Sequence, residues 1–223
     1  MKLKRLEMVL SRLDDIELPD PSLEQYRTPA SIVSKVLLEA ANNGDILDMS
    51  VAELGCGSAP FAIGALLIGA RSAWGCDIDP KAVKRSRENL VKAEGLARTE
   101  GLVDRATFVE LDVSGPSDRF PKVDTVLMNP PFGAQKRGAD RPFLERALSM
   151  ADVVYTIHNA PTAPFVRKLV GSLGGMITSE EMFEMELPHR FAFHTNEKGA
   201  VEVVLFRIVT GNGGQDRTGA CCP

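Results

Sequence analysis

At 223 residues, with 44% hydrophobic and 25% charged side chains, the chain is long enough to bury roughly 70% of its unfolded surface in one soluble domain. A formal net charge of −4 argues against indiscriminate nucleic-acid binding, which needs a basic surface, but leaves room for a local basic patch. No apolar run approaches the ~20 residues that span a bilayer, and the basic start Met1-Lys2-Leu3-Lys4-Arg5 has no apolar core behind it, so a cytoplasmic protein is expected.

Leu3, Leu6, Leu10 and Leu13 recur at helical spacing, which predicts an amphipathic helix over residues 2–16 with Lys2, Arg5 and Arg12 outward. Pro19 and Pro21 stop it. Thr28-Pro29 then offers an N-cap and a first-turn proline for a helix reaching about Ala41. Strands are expected at residues 51–54, 72–76, 107–111, 123–128, 153–157, 176–187 and 201–209, the last two forming an antiparallel pair. Helices are expected at 60–67, from the Asp79-Pro80 cap to about Ala93, at 141–150 and at 164–173. Alternation with apolar strands predicts a doubly wound α/β fold: a mostly parallel seven-stranded sheet, covered on both faces, with an antiparallel last strand. The Gly-rich, polar segment 211–223 reads as a disordered tail.

The cysteines do not form a metal or disulfide pattern. Cys56 and Cys76 lie at strand and loop positions, Cys221 and Cys222 are adjacent, and His158, His189 and His194 have no ligand spacing. Reduced thiols with packing roles, and no metal, are expected.

Two stretches carry chemistry. Glu53-Leu54-Gly55-Cys56-Gly57-Ser58-Ala59-Pro60 follows the first strand and opens a helix, so its glycines let backbone approach a ligand at the sheet edge where ligands bind. Acidic Asp77, 20 residues beyond Gly57, suits a ribose diol. A dinucleotide site wants a third glycine and a phosphate cradle, but Pro60 has no N–H and Glu53 repels phosphate. Glu53 instead suits a cationic amino-acid end, which favours S-adenosylmethionine. Asp112, ending the third strand, can accept from an adenine amino group, with the Val113 N–H beside it.

The second stretch, Asn129-Pro130-Pro131-Phe132, stands directly behind the strand 123–128. It offers a side-chain amide oxygen, a main-chain carbonyl and a flat ring in a corner stiffened by two prolines that lack N–H donors. Those groups suit gripping a planar amine: adenine N6, guanine N2 or a glutamine amide. Lys136, Arg137 and Arg141 follow and can meet phosphates.

With both halves placed, the chain resembles the class I S-adenosylmethionine-dependent methyltransferases, and more narrowly the methyltransferase-like protein 5 family of archaea and eukaryotes. The resemblance covers about residues 2–209. It rests on Leu23-Glu24-Gln25-Tyr26-Arg27-Thr28-Pro29, the glycine turn, Gly75-Cys76-Asp77-Ile78-Asp79, Asn129-Pro130-Pro131-Phe132-Gly133, and Phe193-His194 followed by Val201-Glu202-Val203. One methyltransferase domain is expected over 1–210, with 1–43 as an N-terminal helical segment packed on it. The resemblance implies a Rossmann-like fold and adenine-N6 methylation of small-subunit ribosomal RNA. Gln25, Tyr26 and Thr28 would reach the cofactor from the N-terminal side, with Glu53, Gly55, Gly57, Ser58 and Pro60 along the turn. Asp77 would hold the ribose, Asp112 and Val113 the adenine. A small zinc-binding activator protein would add a strand at the third-strand edge. Glu53 stands where the family has Asp, Ala59 where it has Gly, and Thr195-Asn196-Glu197-Lys198 where a Lys-rich stretch is usual. The residue pattern also leaves open a protein glutamine N5-methyltransferase, a guanine-N2 RNA methyltransferase, and an inactive cofactor-binding ribosome-assembly factor.

Overall fold

The computed structural model describes residues 1–17, 19–25, 27–133, 138–186 and 200–211. Two helices, α1 (Leu3–Ser11) and α2 (Ala30–Asn42), precede an alternating series. It runs β1 (Ser50–Leu54), α3 (Pro60–Leu67), β2 (Ser72–Asp77), α4 (Pro80–Ala97), β3 (Ala106–Glu110) and β4 (Val123–Met128). There follow α5 (Arg141–Met150), β5 (Ala151–Asn159), α6 (Ala163–Ser172), β6 (Gly175–Glu186) and β7 (Ala200–Thr210). No described helix is long and apolar enough to cross a membrane.

The sheet order is β3-β2-β1-β4-β5-β7-β6. Pairs from β3 through β5 are parallel, and β7 runs antiparallel between β5 and β6. Strand alternation sends side chains to two cores. Leu127, Val153, Tyr155 and Ile157 join α1–α4 on one face; Val126, Met128 and Val154 join α5 and α6 on the other. The chain winds outward from β1 to β3, then returns to β4. The crevice between β1 and β4 is therefore the switch point at which ligands bind in such sheets.

Several boundaries depart from the sequence expectation. Helix α1 ends at Ser11, not residue 16, because the Arg27 guanidinium caps the carbonyls of Leu10 and Leu13 and Asn89 captures the next turn. There Asp14 N donates to Asn89 Oδ1 at 2.8 Å and Asn89 Nδ2 donates to Asp14 O at 2.9 Å. Leu3, expected on the apolar stripe, is 41% exposed. Pro29, not Thr28, is the N-cap of α2, with extended ψ of 139°. Helix α4 continues past Gly95 to Ala97 and stops where Arg98 turns left-handed. Strand β3 ends at Glu110, so Asp112 belongs to the following turn.

Candidate active site

A cavity of about 340 Å³ opens beyond the ends of β1, β2 and β4. Its walls come from four directions. The glycine turn contributes Glu53, Gly55, Cys56, Gly57, Ser58 and Pro60. The next strand tips give Asp77, Ile78, Asp112, Val113 and Ser114, while Asn129 and Pro131 stand at the end of β4. Gly138, Ala139, Pro142 and Phe143 close one side, and Asp15, Ile16, Gln25, Arg27 and Thr28 fold over from the N-terminal segment.

The turn is held open by backbone conformations that few residues adopt. Gly55 has φ +64° and Gly57 φ +54°. A Cβ on Gly55 would stand 2.9 Å from Phe143 Cε1, so the missing side chain lets the aromatic ring cross the backbone. Ala59 takes the same left-handed region, at φ 60°, which costs a non-glycine residue about 1–2 kcal/mol. Helix α4 braces the turn from behind: Ser86 Oγ donates to Gly57 O at 2.9 Å, and Asn89 Nδ2 to Ser58 O at 3.1 Å.

Glu53 lines the cavity with its carboxyl already engaged by backbone. Its carboxylate accepts from Ala62 N at 2.8 Å and Phe61 N at 3.3 Å, and so caps α3. It is 3% exposed, and burial pushes its carboxyl up to about 8, the two amides and nearby Asp77 acting in opposite directions on it. The expected cationic group would meet a carboxyl that lines the cavity and is already held by the helix N-terminus.

Asp77 accepts from Gly57 N at 2.9 Å through one oxygen and from Asp79 N at 3.0 Å through the other. Burial raises its carboxyl above the usual range, and those amides pull it back. Each oxygen keeps a lone pair for a ligand hydroxyl. Asp112 is exposed at the cavity edge and accepts from Ser114 N at 2.8 Å. Gln25 lines the wall, but its amide donates to Asp79 Oδ2 at 2.9 Å and accepts from Asp20 N at 2.7 Å. It ties the N-terminal segment to the α4 cap. Burial lifts the Cys56 and Cys76 thiols, Cys76 to about 12, so both stay protonated and unreactive.

Asn129 is the most telling wall residue. Its Nδ2 donates to Thr28 Oγ1 at 3.0 Å, while its Oδ1 is buried without a hydrogen-bond partner. Pro130 is buried behind it. Phe132 is half-buried, packs against the core on the α1–α4 face, and does not line the cavity. Arg141 also stays outside the cavity, paired at the surface with Glu145 at 2.8 Å. Tyr26, Lys136, Arg137, the Phe193-His194 pair, residues 195–198 and the segment 212–223 lie outside the described residues. The sequence reading missed Phe143, Asp15, Ile16 and the α4 braces. Of these only Phe143, an aromatic residue in a Pro-started helix just after the Asn-Pro-Pro-Phe corner, left a local signal.

This wall fits S-adenosylmethionine better than a phosphate-bearing cofactor. Asp15, Asp77 and Asp112 line it, and its one described basic residue, Arg27, is committed to backbone carbonyls. An unsatisfied acceptor beside that cavity awaits an N–H.

Comparison with known proteins agrees. A family model described as ribosomal protein L11 methyltransferase (PrmA) matches residues 33–115, the cofactor half, and stops before Asn129. An uncharacterized protein of Methanocaldococcus jannaschii is 37% identical, covering 93% of this chain and 94% of its own length. The rRNA N(6)-adenosine-methyltransferase METTL5 of Danio rerio is 33% identical, covering 93% of this chain and 99% of that protein. A crystal structure titled as a candidate RNA methyltransferase from Pyrococcus horikoshii superposes with a TM-score of 0.82 at 35% identity, covering 94% of this chain and 98% of that one.

Proposed function

Since this chain belongs to the METTL5 family and is an S-adenosylmethionine-dependent methyltransferase, we propose that it methylates adenine N6 in small-subunit ribosomal RNA. One observation carries the reading: the partnerless Oδ1 of Asn129, held in place through its Nδ2 by Thr28. An unpaired buried acceptor costs about 1–3 kcal/mol, and a substrate N–H would recover it.

Gly55, Gly57, Ser58, Pro60, Asp77, Asp112 and Val113 would hold S-adenosylmethionine, with Gln25, Tyr26, Thr28 and Glu53 around them. That cofactor supplies an electrophilic methyl group. The protein's part is to aim the amine. Adenine N6 is a poor nucleophile because its lone pair delocalises into the ring. Accepting its two N–H groups at Asn129 Oδ1 and the Pro130 carbonyl favours a pyramidal nitrogen. Pro131 stiffens the corner at the cavity wall, and Phe132, which packs on the core outside the cavity, would have to turn toward the base to give it a platform worth about 1–3 kcal/mol. The base must be unpaired or flipped to reach it. No strong base is required, because the amine proton becomes acidic on alkylation; positioning carries the rate.

Lys136, Arg137 and Arg141 would meet RNA phosphates. The Arg141–Glu145 pair is exposed and, at about 0.3–0.5 kcal/mol, exchangeable for a phosphate. The edge of β3, which pairs only with β2 among the described residues, suits strand addition by a small zinc-binding activator.

The test is transfer of a radiolabelled methyl group to purified small-subunit RNA. Asn129→Ala is expected to lower turnover about a hundredfold or more while calorimetric cofactor affinity stays within about threefold. Retained turnover, or equal loss of both, overturns the assignment.

A further inference from the structure

Beside the sheet face covered by α5 and α6, three buried side chains stand in line. His158, near the end of β5, is 1% exposed. Its Nδ1 lies 3.3 Å from Asp140 Oδ2, and its Nε2 lies 2.8 Å from Thr156 Oγ1. Asp140 and Thr156 are buried as well, and the Phe206 ring meets the imidazole edge-on. An acid, an imidazole and a hydroxyl in series serve nucleophilic catalysis elsewhere. Here none of the three lines the cavity, and the hydroxyl has no exposed surface. That role is excluded.

The connections are mechanical. Asp140 ends the loop that returns from the Asn-Pro-Pro-Phe corner, and its carbonyl accepts from Leu144 N at 3.1 Å to start α5. Gly138 and Ala139 before it, and Pro142 and Phe143 after it, are cavity wall. A buried carboxylate requires a partner. His158 is that partner, and it sits on the strand paired with β4, whose tip carries Asn129. With Nδ1–H directed at Asp140, Nε2 accepts from the Thr156 hydroxyl, which fixes both ring orientation and tautomer.

We infer that His158, clamped between Thr156 and Asp140, is a positioning residue that holds the wall 138–143 in place against Asn129. The kinetic part of this inference rests on the proposed methyl transfer; the structural part does not.

Two near-isosteric variants test it. In His158→Asn the amide nitrogen replaces Nδ1 and keeps the bond to Asp140. In His158→Gln the amide replaces Nε2 and keeps only the bond to Thr156. Both lose ring packing, so a merely structural role predicts that they behave alike. Holding the wall predicts that they differ. Amide exchange at Arg141 and Leu144 is expected to stay near native in His158→Asn and to quicken about tenfold in His158→Gln. The RNA kcat/KM is expected to fall about tenfold further in the second variant than in the first. Equal behaviour, or His158→Gln being the better preserved, overturns the inference. If neither folds, Asp140→Asn, which keeps an acceptor for Nδ1–H, should retain exchange protection that Asp140→Ala loses; the same protection in both overturns it. Should the native enzyme methylate no RNA, the functional reading fails and the exchange comparison still decides the clamp.

Discussion

The side chains of Asn129 and Thr28, 101 residues apart in the chain, meet in a single hydrogen bond of 3.0 Å at the cavity wall. With the amide nitrogen donating to the Thr28 hydroxyl, the amide oxygen of Asn129 is left buried without a hydrogen-bond partner. The N-terminal segment therefore holds one end of the amide at the corner that β4 supplies.

Thr28→Val keeps the shape and removes the acceptor. Turnover is expected to drop roughly tenfold to a hundredfold, with a stability loss of about 1 kcal/mol, as the amide loses its preferred orientation. Thr28→Ser should restore most of the rate. Single-turnover kinetics with saturating cofactor would check this, and a valine variant of native speed would remove Thr28 from the account.

The glycine turn gives a prediction with its own control. Gly55→Ala meets both a left-handed backbone and Phe143 at 2.9 Å, whereas Gly57→Ala meets only the backbone, its nearest neighbour being Ile16 Cδ1 at 3.8 Å. Denaturant unfolding should show about 1–2 kcal/mol lost for Gly57→Ala and clearly more for Gly55→Ala. Adding Phe143→Ala should recover part of the second loss and none of the first. Equal losses at the two glycines would mean that the ring is not held against the turn.

Burial of Glu53 makes stability depend on pH with a definite sign. A carboxyl near 8 in the folded protein, against an ordinary value when unfolded, leaves the native state holding the extra proton between those limits. Its contribution is complete at acidic pH and is lost as pH rises through 8, by at most about 1.4 kcal/mol per pH unit. Asp77, also raised, acts in the same direction. Thermal unfolding between pH 6 and 9 should show a falling melting temperature that flattens in Glu53→Gln. Identical slopes in the two proteins would mean that Glu53 is ionised throughout.

How much of this was readable in the chain depended on range. Helix α3 runs from Pro60 to Leu67 and β4 from Val123 to Met128 as expected, because Pro60 and the Asn-Pro-Pro stop are local signals. The glycine turn, Asp77, Asp112 and Asn129 came together on one cavity because strand ends in a parallel sheet share an edge. Glu53 lies on the cavity, but the amides that hold it were not legible. Its environment is decided by amides eight and nine residues on, once the helix has formed. Thr28, read as a cap, bonds Asn129 instead, and the 18-residue separation of Asp140 and His158 hides a contact that only the loop return creates. Periodicity carries no information about such pairs.

The outermost strand β6 has one free side, paired on the other with β7 alone among the described residues. Met176 and Met182 are largely open to water on it, interleaved with exposed Glu180 and Glu184. At neutral pH Glu184 and the chain's net charge of −4 disfavour a second copy extending the ladder from molecule to molecule, while Glu180 is already paired with Arg167 at 2.6 Å. Titration to the isoelectric point, about 5.5, removes that net charge while leaving the backbone groups and the methionines as inviting as before. Concentrated stocks kept near pH 5.5 are therefore where this protein should thicken and precipitate first.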